Sequence, residues 1–404
     1  MDKYIDVLLE IGIGMQPGEK IFVSAEPIHW DFAVRLAERA YRQDAAYVRV
    51  QSVDARVERA RMLYAEEKYL EYVPSWAAAM QDVFRDEHWS LVRISGPADP
   101  DVLNDAAPGR MKIAGRAAAR VVEPYSKYRM DGTCPWNIIA LPTPAWAGKV
   151  MDMAPGDKAV EALTQELVKI MRLDADDPVD AWRKHNQTLK HRAEILNQSK
   201  LSYLHFTGPG TDLKVYLADR SFWIGGNRSR HDGKKFMPNL PTEEVFTVPH
   251  CRKTEGTVRV TKPIRILGKI VRGARFEFNE GKLVSLSADE GQDRLENLVD
   301  FDEGVRFLGE VALVDISSPI YQSGRLFDSI LFDENACCHI ALGRSLPMAI
   351  TDGASMDKKE LLESGANHSL VHNDFMIGSE EVSVTGYDKG GSSMAIIKDG
   401  SFVL

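Results

Sequence analysis

Between Asp2 and Leu141 the chain alternates stretches of helical period with stretches of strand period, and this alternation restricts the fold more than any other feature. Asp2 to Ile13 has the spacing of an amphipathic helix, Lys20 to Ser24 of a strand, Asp31 to Arg42 of a helix and Ala46 to Gln51 of a strand. The helical period returns over Arg56 to Phe84 and Arg110 to Val122, with strands at Trp89 to Ile94 and Trp136 to Leu141. Parallel strands need long crossovers, usually helical, so the order predicts a mostly parallel sheet with helices on its faces. Sheets of this kind often bind nucleotides. Here the first strand runs into Ser24-Ala25-Glu26-Pro27, with neither a GxGxxG nor a Walker-type loop. The first half is therefore expected to serve as scaffold, substrate wall or subunit interface.

A chain of 404 residues exceeds the size at which one hydrophobic core stops growing, so two domains are expected. Asp157 to Asn197 reads as one or two charged helices broken near Asp174 to Pro178, the natural place for the connection. Past Leu201 the texture changes to short strands separated by turn residues: Leu204 to Phe206, Gly208-Pro209-Gly210, Leu213 to Leu217, Thr257 to Val260 and Ile264 to Ile270. The expected architecture is an α/β N-terminal domain with a mostly parallel sheet over 1–175, then a β-rich α+β C-terminal domain over 176–404.

Composition excludes some functions. A formal charge of −9 argues against a nucleic-acid surface, which needs Lys and Arg in local excess. The short basic run from Arg228 to Lys235 reads as a solvated loop. No window approaches a membrane span, and Met1 to Gly14 lacks the basic and apolar regions of a secretory signal. Of four cysteines, two are adjacent, Cys337 and Cys338, which makes a poor disulfide framework and lacks the C-x-x-C spacing of a zinc site. A reducing cytoplasm is the expected compartment.

Chemistry concentrates in four C-terminal segments. If Val371 to Met376 is extended, His372 and Asp374 lie two apart and share a face, where both could hold one metal ion. Two polar residues on a solvent face give the same pattern. The stretch Leu331 to Gly343 carries Glu334 in an acidic turn and His339 in an apolar run, where an imidazole needs a partner. A satisfied core histidine fits as well. Glu244 and Glu310 each open an apolar strand, in Thr242-Glu243-Glu244-Val245-Phe246 and Gly309-Glu310-Val311-Ala312-Leu313. Alone, each reads as a strand-end charge facing water.

These segments, with Trp136-Asn137-Ile138-Ile139-Ala140-Leu141-Pro142-Thr143 and Trp146-Ala147, resemble over nearly the whole chain the thermophilic-type metallo-aminopeptidases that include aminopeptidases S and T. The resemblance implies a β-rich metal-binding domain with two divalent ions, zinc, cobalt or manganese, on Glu244, Glu310, Glu334, His339, His372 and Asp374. It implies a short peptide or amino-acid amide as substrate and a homodimer; Glu310 is our choice as the acid-base residue, and charge and hydropathy leave no nucleic-acid or membrane partner expected. One position departs from the family pattern: where a tyrosine stabilises the intermediate's negative charge, this chain has Leu346. That departure keeps other readings open: a non-peptide amide hydrolase, a ring-cleaving dioxygenase with one ferrous ion on His339, His372 and Asp374, or a binding protein with a degenerate site.

Overall fold

The computed structural model describes residues 1–404. They form two compact units, Met1–Asn186 with Asn227–Thr242, and Gln187–Gly226 with Glu243–Leu404. No helix is long and apolar enough to cross a membrane.

In the first unit four strands, β1 (Lys20–Ala25), β2 (Tyr47–Ser52), β3 (Ser90–Ser95) and β4 (Trp136–Ala140), lie in the order β2-β1-β3-β4. Every pairing is parallel, as the alternation requires. Ile21, Val23 and Ala25 point inward from β1 and meet Phe32, Ala33, Leu36 and Ala40 from the buried stripe of the Trp30–Arg42 helix. Each of the larger side chains, Ile21, Val23, Phe32 and Leu36, stabilises the unit by about 1.5–3 kcal/mol. The helical period from Arg56 to Phe84 resolves into two helices, Ala55–Tyr64 and Trp76–Asp86. Pro74, which donates no hydrogen bond and holds its predecessor extended, lies between them.

Residues 227–242 add a further chain beside β4. Ile138 N donates to Pro238 O at 2.9 Å, and Leu240 N to Ile138 O at 3.0 Å. The basic run in this segment is only partly solvated. Arg230 is 5% exposed, its Nη2 donates to both Glu19 oxygens at 3.0 and 2.9 Å, and its Nη1 donates to Ile13 O at 2.8 Å. A buried guanidinium with this many acceptors is an internal tie, so local composition misrepresented this residue.

The second unit holds an eight-stranded antiparallel sheet and a five-stranded sheet. Ile264 to Ile270, which reads as one strand, is a hairpin of Ile264–Ile266 and Lys269–Val271 with Leu267 and Gly268 at the turn. The five-stranded sheet runs in the order His372–Met376, His339–Gly343, Leu308–Val314, Glu244–Thr247, Ile224–Gly225, and all the pairings among its four longer strands are antiparallel. Side chains alternate faces along a strand, so register decides what each face carries. Val245, Val311, Leu313, Ile340, Leu342 and Phe375 enter the main core of the unit. Their neighbours Glu244, Glu310, His339 and Asp374 occupy the other face.

Glu310 reaches that face through an irregularity. It does not open its strand but is the third residue of Leu308–Val314. Leu308 pairs with Leu342 while Glu310 pairs with Ala341, so Gly309 is an extra residue that switches the face between them. A Cβ at Gly309 would lie 2.4 Å from Arg344 O and 2.5 Å from Gly343 O. We expect Gly309→Ala to destabilise the protein by about 3 kcal/mol. It should also lower activity, because backbone atoms cannot yield without moving Glu310. Denaturant unfolding checks this, and a change under about 0.5 kcal/mol would contradict the bulge account.

Candidate metal centre

The structure brings together all six residues named from the sequence. Ligand atoms of Glu244, Glu310 and His339 lie within 4.8 Å of one another, and so do those of Glu310, His372 and Asp374. Glu310 belongs to both groups. Glu334 completes the cluster through a hydrogen bond with the Asp374 carboxyl.

His372 and Asp374 share a face of one strand, as extended spacing requires. Glu334 follows a short Ile330–Asp333 turn whose shape is fixed by Asp333, which accepts from Phe327 N at 2.8 Å and Ser329 N at 3.0 Å. Asn335 is fully buried, accepts from Glu243 N at 2.7 Å and donates to Leu331 O at 3.0 Å, tying the Glu244 strand to the Glu334 turn. Asp302 accepts from Leu370 N at 2.8 Å, and Asn367 donates to Gly304 O at 2.7 Å, fixing the approach to His372. These supporting residues were not apparent from the sequence. Asn335 lies inside a noted segment, but an asparagine beside two acids carries no signal of its own.

The two imidazoles are oriented alike. His372 Nδ1 faces Arg344 O at 2.7 Å and His339 Nδ1 faces Cys337 O at 3.4 Å, which places the ring proton on Nδ1. Each Nε2 then presents a lone pair, and it presents it to carboxylates. His339 Nε2 is 3.1 Å from Glu244 Oε2, and His372 Nε2 is 2.9 Å from Glu310 Oε2 and 3.2 Å from Asp374 Oδ1. Asp374 Oδ1 is buried with no hydrogen bond beyond that ionic approach. Lone pairs facing one another in a buried place need a cation between them, and backbone-anchored imidazoles are the usual support of a metal site.

The protonation pattern agrees. Burial, and then the Asp374 and Glu244 charges, push Glu334 well above the usual carboxylate range, and burial also raises Glu310. Burial opposes charge on His339, but its hydrogen bond to Glu244 and the surrounding carboxylates outweigh this and push it up to about 10. His372 is raised in the same way by Asp374 and Glu310. Without a metal, the cluster takes up protons to balance its charge.

A pH prediction follows from the sign of these shifts. A histidine raised in the folded state contributes stability that is complete below its unfolded pKa and lost as pH climbs through the folded one. Chelated protein should therefore melt progressively lower between about pH 6.5 and 10, while metal-loaded protein should show a flatter profile. Calorimetry on the two forms checks this, and parallel profiles would contradict it.

Burial pushes the Cys337 and Cys338 thiols up to about 11 and about 12, so both stay protonated and serve as core residues. Leu346 packs in a small apolar cluster with Phe246 and Ala312, which pair with each other on the face that carries Glu310. Tyr321 does not take its place, since it packs against the main core and donates its hydroxyl to Glu380.

The comparisons with known proteins extend over the whole of this arrangement. Aminopeptidase 2 of Geobacillus stearothermophilus is 38% identical over 404 residues, covering 100% of this chain and 97% of that protein. Aminopeptidase T of Thermus aquaticus is 36% identical over 405 residues, covering 100% and 98%. The solved structure of wild-type AmpT from Thermus thermophilus has a TM-score of 0.91 at 35% identity and covers 100% of this chain and 98% of its own. A model of the thermophilic metalloprotease (M29) family matches residues 1–402, and the chain belongs to that family.

Proposed function

We propose that this metalloprotease is an aminopeptidase that releases N-terminal residues from short peptides or amino-acid amides, with two divalent ions held by the six-residue cluster. The observation that carries the reading is the pair of backbone-anchored imidazoles whose Nε2 atoms face buried carboxylates. The membership of Glu310 in two ligand groups supports two ions that share it. Oxygen and nitrogen donors without thiolate suit zinc, cobalt or manganese. The likeness to aminopeptidase 2 and aminopeptidase T supports the aminopeptidase activity.

When bound, such ions supply hydroxide near neutral pH and polarise the scissile carbonyl. The chain itself supplies the proton path and the positioning. A carboxylate has two oxygens, so Glu310 can serve as ligand with one and hold a proton for the leaving amine with the other. Asn335 holds the Glu244 and Glu334 segments together, and the carbonyls of Arg344 and Cys337 keep both rings aimed inward. A single ferrous ion on His339, His372 and Asp374 suits the geometry less well, because the two histidines fall into different ligand groups.

The test is hydrolysis of leucine amide and leucine arylamide. We expect activity that stops on chelation and returns with zinc, cobalt or manganese. Hydrolysis that survives full chelation would contradict the reading. Family resemblance adds a homodimer and the cysteine usage a reducing cytoplasm, for which light scattering at twice the chain mass and cell fractionation are the checks.

A further inference from the structure

The two histidines of the cluster are held with unequal security. His339 lies inside its sheet, paired with Leu308–Val314 on one side and His372–Met376 on the other, and its side chain is 1% exposed. His372 opens the edge strand, and its side chain is 17% exposed. Packing confines the first ring, whereas the second depends on its hydrogen bond to Arg344 O at 2.7 Å. The aim of His372 is therefore only as firm as the Arg344 peptide.

Asn367 holds that peptide from both sides. Its Nδ2 donates to Gly343 O at 2.6 Å and Gly304 O at 2.7 Å, with Phe307 O at 3.4 Å. Its backbone N donates to Ser345 Oγ at 2.8 Å, and Ser345 N donates to Asn367 O at 3.0 Å. Gly343 and Ser345 flank Arg344, so one asparagine fixes the residue before the Arg344 carbonyl and the residue after it. Arg344 N adds a bond to Val371 O at 2.7 Å, next to His372 itself. The side chain must be a donor here: a carboxylate of the same shape would turn oxygen toward carbonyl oxygens.

We propose that Asn367 is a positioning residue for one of the two ions, the one in the group of Glu310, His372 and Asp374. By fixing the Arg344 carbonyl it keeps the ring proton of His372 on Nδ1 and leaves Nε2 to face the ion. The inference rests on the two-ion reading and makes the ions unequal, since the His339 ring takes its orientation from Cys337 O, outside the Asn367 network.

The experiment measures the affinity of each zinc ion by chelator competition in wild type, Asn367→Asp and Asn367→Ala. Melting temperatures of the metal-free proteins and long-range proton–nitrogen spectra of the zinc-loaded histidines accompany it. Both substitutions should weaken one ion by about tenfold to a hundredfold and the other by less than about threefold. The Nδ1 proton of His372 should exchange faster with solvent, while that of His339 stays protected. Ser345→Ala, which leaves the Asn367 side chain in place, should weaken the same ion to a smaller degree, and it decides if neither Asn367 variant folds. Equal weakening of both ions, or affinities within about twofold of wild type despite a lower melting temperature, would make Asn367 a structural residue and overturn the proposal while the two-ion reading stands. Wild type that binds fewer than two zinc ions would overturn that reading and the proposal with it.

Discussion

Glu310→Gln should lower kcat by about a thousandfold or more while the protein remains folded. Glu310 is the one residue common to both ligand groups, it is 4% exposed, and it contacts His372 Nε2 at 2.9 Å. Glutamine keeps its shape and removes both the charge that would hold a shared cation and the oxygen that would carry a proton. Stability should move differently from activity. Burial foremost raises the Glu310 pKa, and a carboxyl raised in the folded state costs stability above its unfolded pKa. The amide removes that cost, so metal-free Glu310→Gln should be at least as stable as metal-free wild type near pH 8. Turnover within about tenfold of wild type would contradict the assigned role, and collapse of the metal-free variant would make Glu310 a structural residue.

The second large effect is a gain. Leu346 stands where the resembled family has a tyrosine for the developing negative charge, and its cluster includes Phe246 and Ala312 on the face that carries Glu310. A lost donor of this kind costs about 3 kcal/mol, or roughly a hundredfold in rate. Leu346→Tyr should therefore raise kcat on amino-acid amides and arylamides by about a hundredfold, with metal content unchanged. Leu346 is half-buried at the edge of its cluster, so a larger ring has room to turn outward without breaking the core. Wild-type turnover that is already high, with no gain in the variant, would show that the missing hydroxyl has no role in this chain.

The parts of the fold that were legible in the sequence are those governed by local period. Parallel strands joined by amphipathic helices announce themselves, and β1 to β4 lie where alternation and punctuation place them. Single-residue events did not announce themselves. The extra residue at Gly309, which turns Glu310 toward the cluster, depends on pairing with a strand some thirty residues away. The burial of Arg230 depends on Glu19, at the other end of the first unit. The turn at Leu267 and Gly268 inside the Ile264 to Val271 hairpin was read through because apolar and charged residues alternate with strand period on both sides of it. For the candidate site, the spacing of His372 and Asp374 was enough to place both on one face. The convergence of Glu244, Glu310, Glu334 and His339 came from the resemblance, since nothing local separates a strand carboxylate that faces a metal from one that faces water.

The most direct test of the central claim is the metal content of the protein purified without chelator, measured by elemental analysis alongside His339→Ala and His372→Ala. Five candidate ligands in two groups that share Glu310, with Glu334 beside them, predict about two divalent ions per wild-type chain. Each substitution should remove about one ion, because the histidines belong to different groups. A single tightly held iron per chain, lost entirely in either variant, would contradict the dinuclear centre and point to a different chemistry. Wild-type protein with no bound metal would contradict it outright.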